Sequence, residues 1–210
     1  MKHLLFKLKP WMLILITLVI FMVLAGAGSL ANALYWHPQD KPWVRTLVNT
    51  LPVPAARIRG TVVPYKDYLV QQDAARKFLT SEAATLPTTD GTTLPKTLDT
   101  QANQAILDQL IRAVAVAQLA QEANIQLTDQ DVNRSFDDLV ARAGTSTSPG
   151  EIDAYLQDTF GWTSTDFKNR VVRPATLETA VRQDAYADDD AKFQSALNEK
   201  VQQAKVYIRL

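Results

Sequence analysis

The chain has 210 residues, with 22 basic and 22 acidic side chains, two histidines and no cysteine. Without cysteine there is no disulfide framework, thiol nucleophile or thiolate metal site, so the fold must rest on its core. Lys2, Lys7 and Lys9 precede every acidic residue, so residues 36–210 hold 19 basic against 22 acidic side chains, a net charge of −3 without a long basic run, which argues against nucleic acid as a partner.

Trp11 to Leu34 carries no charged side chain over 24 residues. As helix that is about 36 Å, against a hydrocarbon core of roughly 30 Å. The stretch is expected to be a transmembrane anchor that places the basic tail, 1–10, in the cytoplasm and the remainder outside it. Lys41, Arg45, Arg57 and Arg59 follow the span and pull the other way, so the orientation rests on the three N-terminal lysines. A second reading stays open, in which Ala31-Asn32-Ala33 is a signal-peptide cleavage site and the domain is secreted after Ala33. Trp36 and Trp43 suit an interfacial aromatic belt and favour the uncleaved anchor.

Residues 35–55 read as a juxtamembrane linker, punctuated by Pro38, Pro42, Pro52 and Pro54. Within it Trp43, Val44, Leu47 and Val48 have helical spacing, suited either to the membrane surface or to packing back on the domain. Ile58 to Val63 is a short β-type stretch with Gly60 at its middle, which predicts a tight hairpin or bulge. Pro64 then opens a helix whose apolar face runs through Tyr68, Leu69, Gln72, Ala75, Phe78 and Leu79 until Leu86-Pro87 stops it, and residues 87–99 are loop by composition.

Thr100 to Glu122 is the strongest helix, with Ile106, Leu110, Ala113, Val114 and Ala117 on one stripe and Leu107, Ile111 and Leu119 widening it. Asn124 before Ile125 has the form of a left-handed C-cap. Thr128 caps the next helix, which buries Val132, Phe136, Leu139 and Val140. Ser148-Pro149-Gly150-Glu151 combines capping-box spacing with a proline at the first helical position, and Ile152, Tyr155 and Leu156 face inward before Gly161. Thr163 to Asp166 starts a helix carrying Phe167, Val171, Leu177 and Val181, with a kink expected at Pro174.

Asp188-Asp189-Asp190 marks the last helix, bearing Phe193, Leu197, Val201 and Ala204. Lys205 to Leu210 alternates as a half-buried strand whose backbone needs a partner, and the stretch at 58–63 is the expected one. The fold class that follows is mainly α: an N-terminal transmembrane helix, then a helical domain over 56–210 capped by a small sheet of its N- and C-terminal strands.

Candidate chemistry is sparse. Beyond residue 55 there is no histidine, cysteine or glycine-rich phosphate loop. Asp129 with Asp131, and Asp188 to Asp190, are better explained as helix N-terminal charges than as a catalytic carboxylate pair or metal cluster, and Ser148 and Thr163 have capping roles. No enzymatic activity, metal or cofactor is expected.

Ile58-Arg59-Gly60-Thr61-Val62-Val63-Pro64 leading into Tyr65-Lys66-Asp67-Tyr68 resembles the opening of the SurA/PrsA/PpiD chaperone domain, with Arg59 where the family usually has asparagine. The helical pair Ile106 to Ile111, Gln118 to Ala123 and Ile125 to Val132 is similar to that family's, as is Phe160-Gly161-Trp162-Thr163 with Phe167 and Val171 to Pro174. The resemblance covers about residues 55–210. A parvulin prolyl isomerase domain usually intervenes before the C-terminal helix, whereas here Leu177 to Asp190 passes directly to Phe193 to Leu210.

The resemblance implies a SurA N-terminal-like cradle without isomerase activity, holding unfolded or nascent exported polypeptides. It makes Phe78, Phe136, Phe160, Trp162 and Phe167 the candidate peptide-binding residues, with core filling as the alternative for each. Membrane lipid, through residues 11–34, is the other expected partner, and a homo-oligomer is left open. The alternative function is an envelope scaffold that binds one folded partner.

Overall fold

The computed structural model describes residues 42–81, 98–142 and 148–208. The expected anchor at 11–34, the basic tail, the cleavage point near Ala33 and most of the loop at 87–99 lie outside these residues. Among the described residues no helix is long and apolar enough to cross a membrane.

The described residues are mainly helical, with one small antiparallel sheet among them. Helix α1 (Pro42–Thr50) is followed by β1 (Pro54–Ile58), β2 (Thr61–Pro64), α2 (Tyr65–Thr80), α3 (Thr100–Glu122), α4 (Asp129–Arg142) and α5 (Pro149–Phe160). Next comes a composite helix: α6 (Ser164–Phe167), a π segment (Lys168–Val172), α7 (Arg173–Ala180) and a second π segment (Val181–Ala185). Helix α8 (Asp190–Gln202) and β3 (Ala204–Val206) complete the order.

Of the two placements open to the 43–48 segment, packing on the domain is the one adopted: Val44 and Val48 are buried in the main core. The prolines confine α1 to nine residues but do not detach it. Between β1 and β2, Arg59 (φ 44°) and Gly60 (φ 91°) both adopt left-handed backbone. Two such residues make the loop whose twist matches the flanking strands. Glycine enters this region freely, but Arg59 pays for its Cβ. The Arg59 guanidinium is held by Gln203 Oε1 and lies 3.9 Å from Glu122.

The strand order is β2-β1-β3. The two ends of the domain therefore do pair, with Ala56, Arg57 and Ile58 opposite Val206, Lys205 and Ala204. The partner of the C-terminal strand is 54–58, not the whole 58–63 stretch, because the turn at Arg59-Gly60 folds 61–64 back onto the other side of β1. Pro54 and Pro64 face each other at the end of the ladder, where a missing donor is tolerated.

The core face of the sheet (Ala56, Ile58, Val63) packs with Tyr65 and Tyr68 of α2, Phe193 and Leu197 of α8, and the buried face of α3. That face is centred on Leu107, Ile111, Ala115, Val116, Leu119 and Ala120, while Ala117 is exposed and Ile106, Leu110 and Val114 are half-buried. The stripe is thus rotated by about one residue from the expected one, since α3 is covered on two sides, by the sheet and by α7 and α8.

The caps follow the sequence closely. Asn124 is left-handed (φ 56°), the Ile125 N–H donates to the Ala120 carbonyl (2.8 Å) and the Asn124 N–H to that of Gln121 (3.2 Å). Two of the orphan carbonyls at the end of α3 are satisfied in this way. Gly161 (φ 74°) ends α5. At Pro174, where a kink is expected, the π segment sends the Arg173 N–H five residues back to Lys168, and the helix runs on into α7. Two side chains expected inside are outside, Leu139 at 49% and Tyr155 at 58% exposure. In α4 the buried face is confined to Val132 and Phe136, and in α5 to Leu156 and Thr159, so Leu139 and Tyr155 fall on the outer sides of their helices.

Candidate binding site

The five aromatic residues singled out from the sequence meet in one row. Phe78 sits in the last turns of α2 and stacks on Phe160 at the end of α5, with centroids 5.7 Å apart and planes 7° apart. Gly161 then turns the chain sharply, so Trp162 comes back within 5.9 Å of Phe160. Thr163 caps α6, which places Phe167 6.4 Å from Phe160 and 6.3 Å, edge-on, from Phe136 of α4. Aromatic pairs at these separations add attraction beyond their buried area.

Exposure separates the five. Phe136 (6%) and Trp162 (7%) are buried, whereas Phe78, Phe160 and Phe167 are half-buried. Phe136 forms a second core with Val132 and Val172, against which Leu127, Val140, Ile152 and Phe167 pack. Lys168 lies over the Phe136 ring at 4.8 Å and donates to Asn133 Oδ1 at 2.9 Å, covering the outer edge. Lys77 reaches the carbonyl of Gln157, fastening α2 to the last turn of α5.

Behind this second core lies a groove of about 390 Å³ between α4 and the composite helix. Val171, Val172 and Ala175 make its floor, Leu139 its exposed wall, and Ser135, Thr176 and Thr179 offer hydroxyls along it. A neighbouring hollow of about 330 Å³ shares Ser135, Thr176 and Thr179 and continues along α7 to Gln183 and Asp184. The floor thus follows α7 from one π segment to the other. Such segments widen a helix locally and recur at functional sites. The sequence signal for this groove is faint: small side chains at 175, 176, 179 and 180, and a leucine left outside.

Three of the ionisable groups with shifted pKa values cap helices. The Thr128 hydroxyl and backbone hold the Asp131 carboxyl below its ordinary value, Thr163 does the same for Asp166, and the Ser148 backbone and hydroxyl do so for Glu151. In each case a helix N-cap binds the ionised form. Tyr68 is pushed up to about 12, first by burial and then by Tyr65 beside it, and its hydroxyl accepts from Gln72 Nε2 at 3.3 Å. None of these shifts prepares a group to move a proton near neutral pH. Among the described residues no set of three histidine, cysteine, aspartate or glutamate side chains is arranged to hold a metal ion. Comparison with protein-family models, with curated proteins and with solved structures finds no match.

Proposed function

We propose that the chain is a membrane-tethered, extracytoplasmic holdase: a SurA N-terminal-like helical domain without an isomerase, which binds unfolded exported polypeptides non-covalently and catalyses nothing. The observation that carries the reading is the groove along α7, whose apolar floor and exposed Leu139 can take an aliphatic or aromatic client side chain. Its hydroxyl lining suits a client backbone, whose donors and acceptors are the same in every sequence. In this reading Phe136, packed against Val172 of the groove floor, stiffens its wall, and Trp162 buttresses Phe160. Phe78, Phe160 and Phe167 keep surface that a client can reach.

The test is suppression of aggregation by the full chain in lipid nanodiscs, at near-stoichiometric ratio, for several unrelated denatured proteins. Activity on most of them is expected, with Leu139→Asp weakening it about tenfold. Inactivity towards every client would reject the holdase and leave the scaffold with one folded partner. A prolyl isomerase assay on the same material should be blank.

A further inference from the structure

The outer face of the sheet holds an arrangement that folding does not require. Arg57 on β1 lies directly opposite Lys205 on β3. The Tyr207 N–H donates to the Ala55 carbonyl at 3.0 Å, which extends the ladder and sets Tyr207 on the same face as Lys205. Lys205 Nζ rests 5.6 Å from the Tyr207 ring centroid. Arg57 and Lys205 are both exposed, while Ala56 and Ile58 take the core face.

Like charges directly opposite across two strands destabilise a sheet. Elsewhere this chain neutralises its arginines: Arg45 with Asp73, Arg112 with Glu178, Arg170 with Asp67 and Arg173 with Asp129. Arg59, two residues along from Arg57, has Glu122. Among the described residues no carboxylate pairs with Arg57 or Lys205. Two exposed cations with a half-buried tyrosine ring beside one of them have the donors that a phosphodiester requires.

We infer that the Arg57–Lys205–Tyr207 face docks on anionic phospholipid headgroups of the membrane that carries the chain. The inference rests on the tether proposed above. Given that tether, residues 35–41 span at most about 25 Å, and β1 is the first strand after α1, so the face can reach the surface to which it is tied. Each basic side chain at an anionic surface strengthens binding about fivefold, more at low salt.

The experiment uses the full chain in nanodiscs of phosphatidylcholine, with or without phosphatidylglycerol, and follows acylation of Lys205 by an amine-reactive probe. Labelling should be at least threefold slower in the anionic discs, and high salt should restore it. Arg57→Glu should bring labelling in anionic discs back to the neutral-lipid rate. The same substitution should raise the unfolding midpoint, because it replaces a like-charge pair by an opposite one. A purely structural role would not move binding and stability in opposite directions.

Equal labelling in both lipids overturns this inference and leaves the tether and the holdase untouched. Failure of the chain to enter discs overturns the tether and the inference together. Protection of Lys205 by a soluble acidic peptide, without any response to lipid charge, overturns it in favour of an acidic protein partner.

Discussion

At Gly60 the backbone alone decides the outcome of a substitution. Its φ is 91° and a Cβ built there would meet nothing within 4 Å. Gly60→Ala should therefore cost about 1–2 kcal/mol, all of it strain in the turn, and lower the urea midpoint with the slope unchanged. A second residue-scale case is Glu122, which faces three elements. Lys200 on α8 points to it with only 7% of its side chain exposed, Arg59 approaches from the hairpin, and Tyr186 is raised in pKa by burial first and by the Glu122 charge second. Glu122→Gln leaves a buried ammonium without its counter-charge and should cost about 1–3 kcal/mol, whereas Lys200→Met removes the charge together with its desolvation and should stay within about 1 kcal/mol of the parent. Equal losses from the two substitutions, measured by chemical unfolding, would show that the pair rather than the lone cation sets the energy.

At the scale of elements, helix starts depend on carboxylates and so on pH. Asp131, Glu151 and Asp166 each have a folded pKa below the ordinary value. Their contribution is complete above the unfolded pKa, near 4, and disappears as pH falls through the lowered folded values. The melting temperature should hold level above about pH 5 and fall below about 4, and the combined Asp131→Asn, Glu151→Gln and Asp166→Asn variant should fall less steeply over that acid range. Helix ends are also where the sequence was most legible: Ser148 with Glu151 and Thr163 with Asp166 at starts, and Asn124 with Ile125 at a C-terminus, announce their bonds through local spacing alone. The aromatic row was legible as a residue set but not as a cluster, because the left-handed turn at Gly161 that doubles Trp162 back on Phe160 is needed to bring it together. Phe160 touches three rings but is half-buried, so Phe160→Ala should cost about 1–3 kcal/mol. The groove was not legible. Its floor is made of small side chains on a helix widened by two π segments, and neither small size nor a π turn leaves a periodic trace.

For the whole molecule the decisive feature is that β3, the last strand described, pairs with β1, the first. β1, with two alanines and a proline in five residues, carries no alternation of branched side chains, so the sequence pointed to the more β-like 58–63 and missed the exact partner. The consequence for stability is the same in either register. β3 supplies one edge of the sheet, the Tyr207 bond to Ala55 extends it, and Ile208 lies in the main core beside Phe193 and Leu197. A chain truncated after Gln203 loses the pairing along β1 and a buried isoleucine. Since α3 packs against β1, β2 and α8 at once, the sheet cannot fray without uncovering the central helix. The truncated chain should unfold in one transition displaced by several kcal/mol, and hydrogen exchange should quicken in α3 as much as in β1. Faster exchange confined to β1 and β2, with α3 as protected as in the full chain, would mean that the sheet is an ornament on an autonomous helical domain.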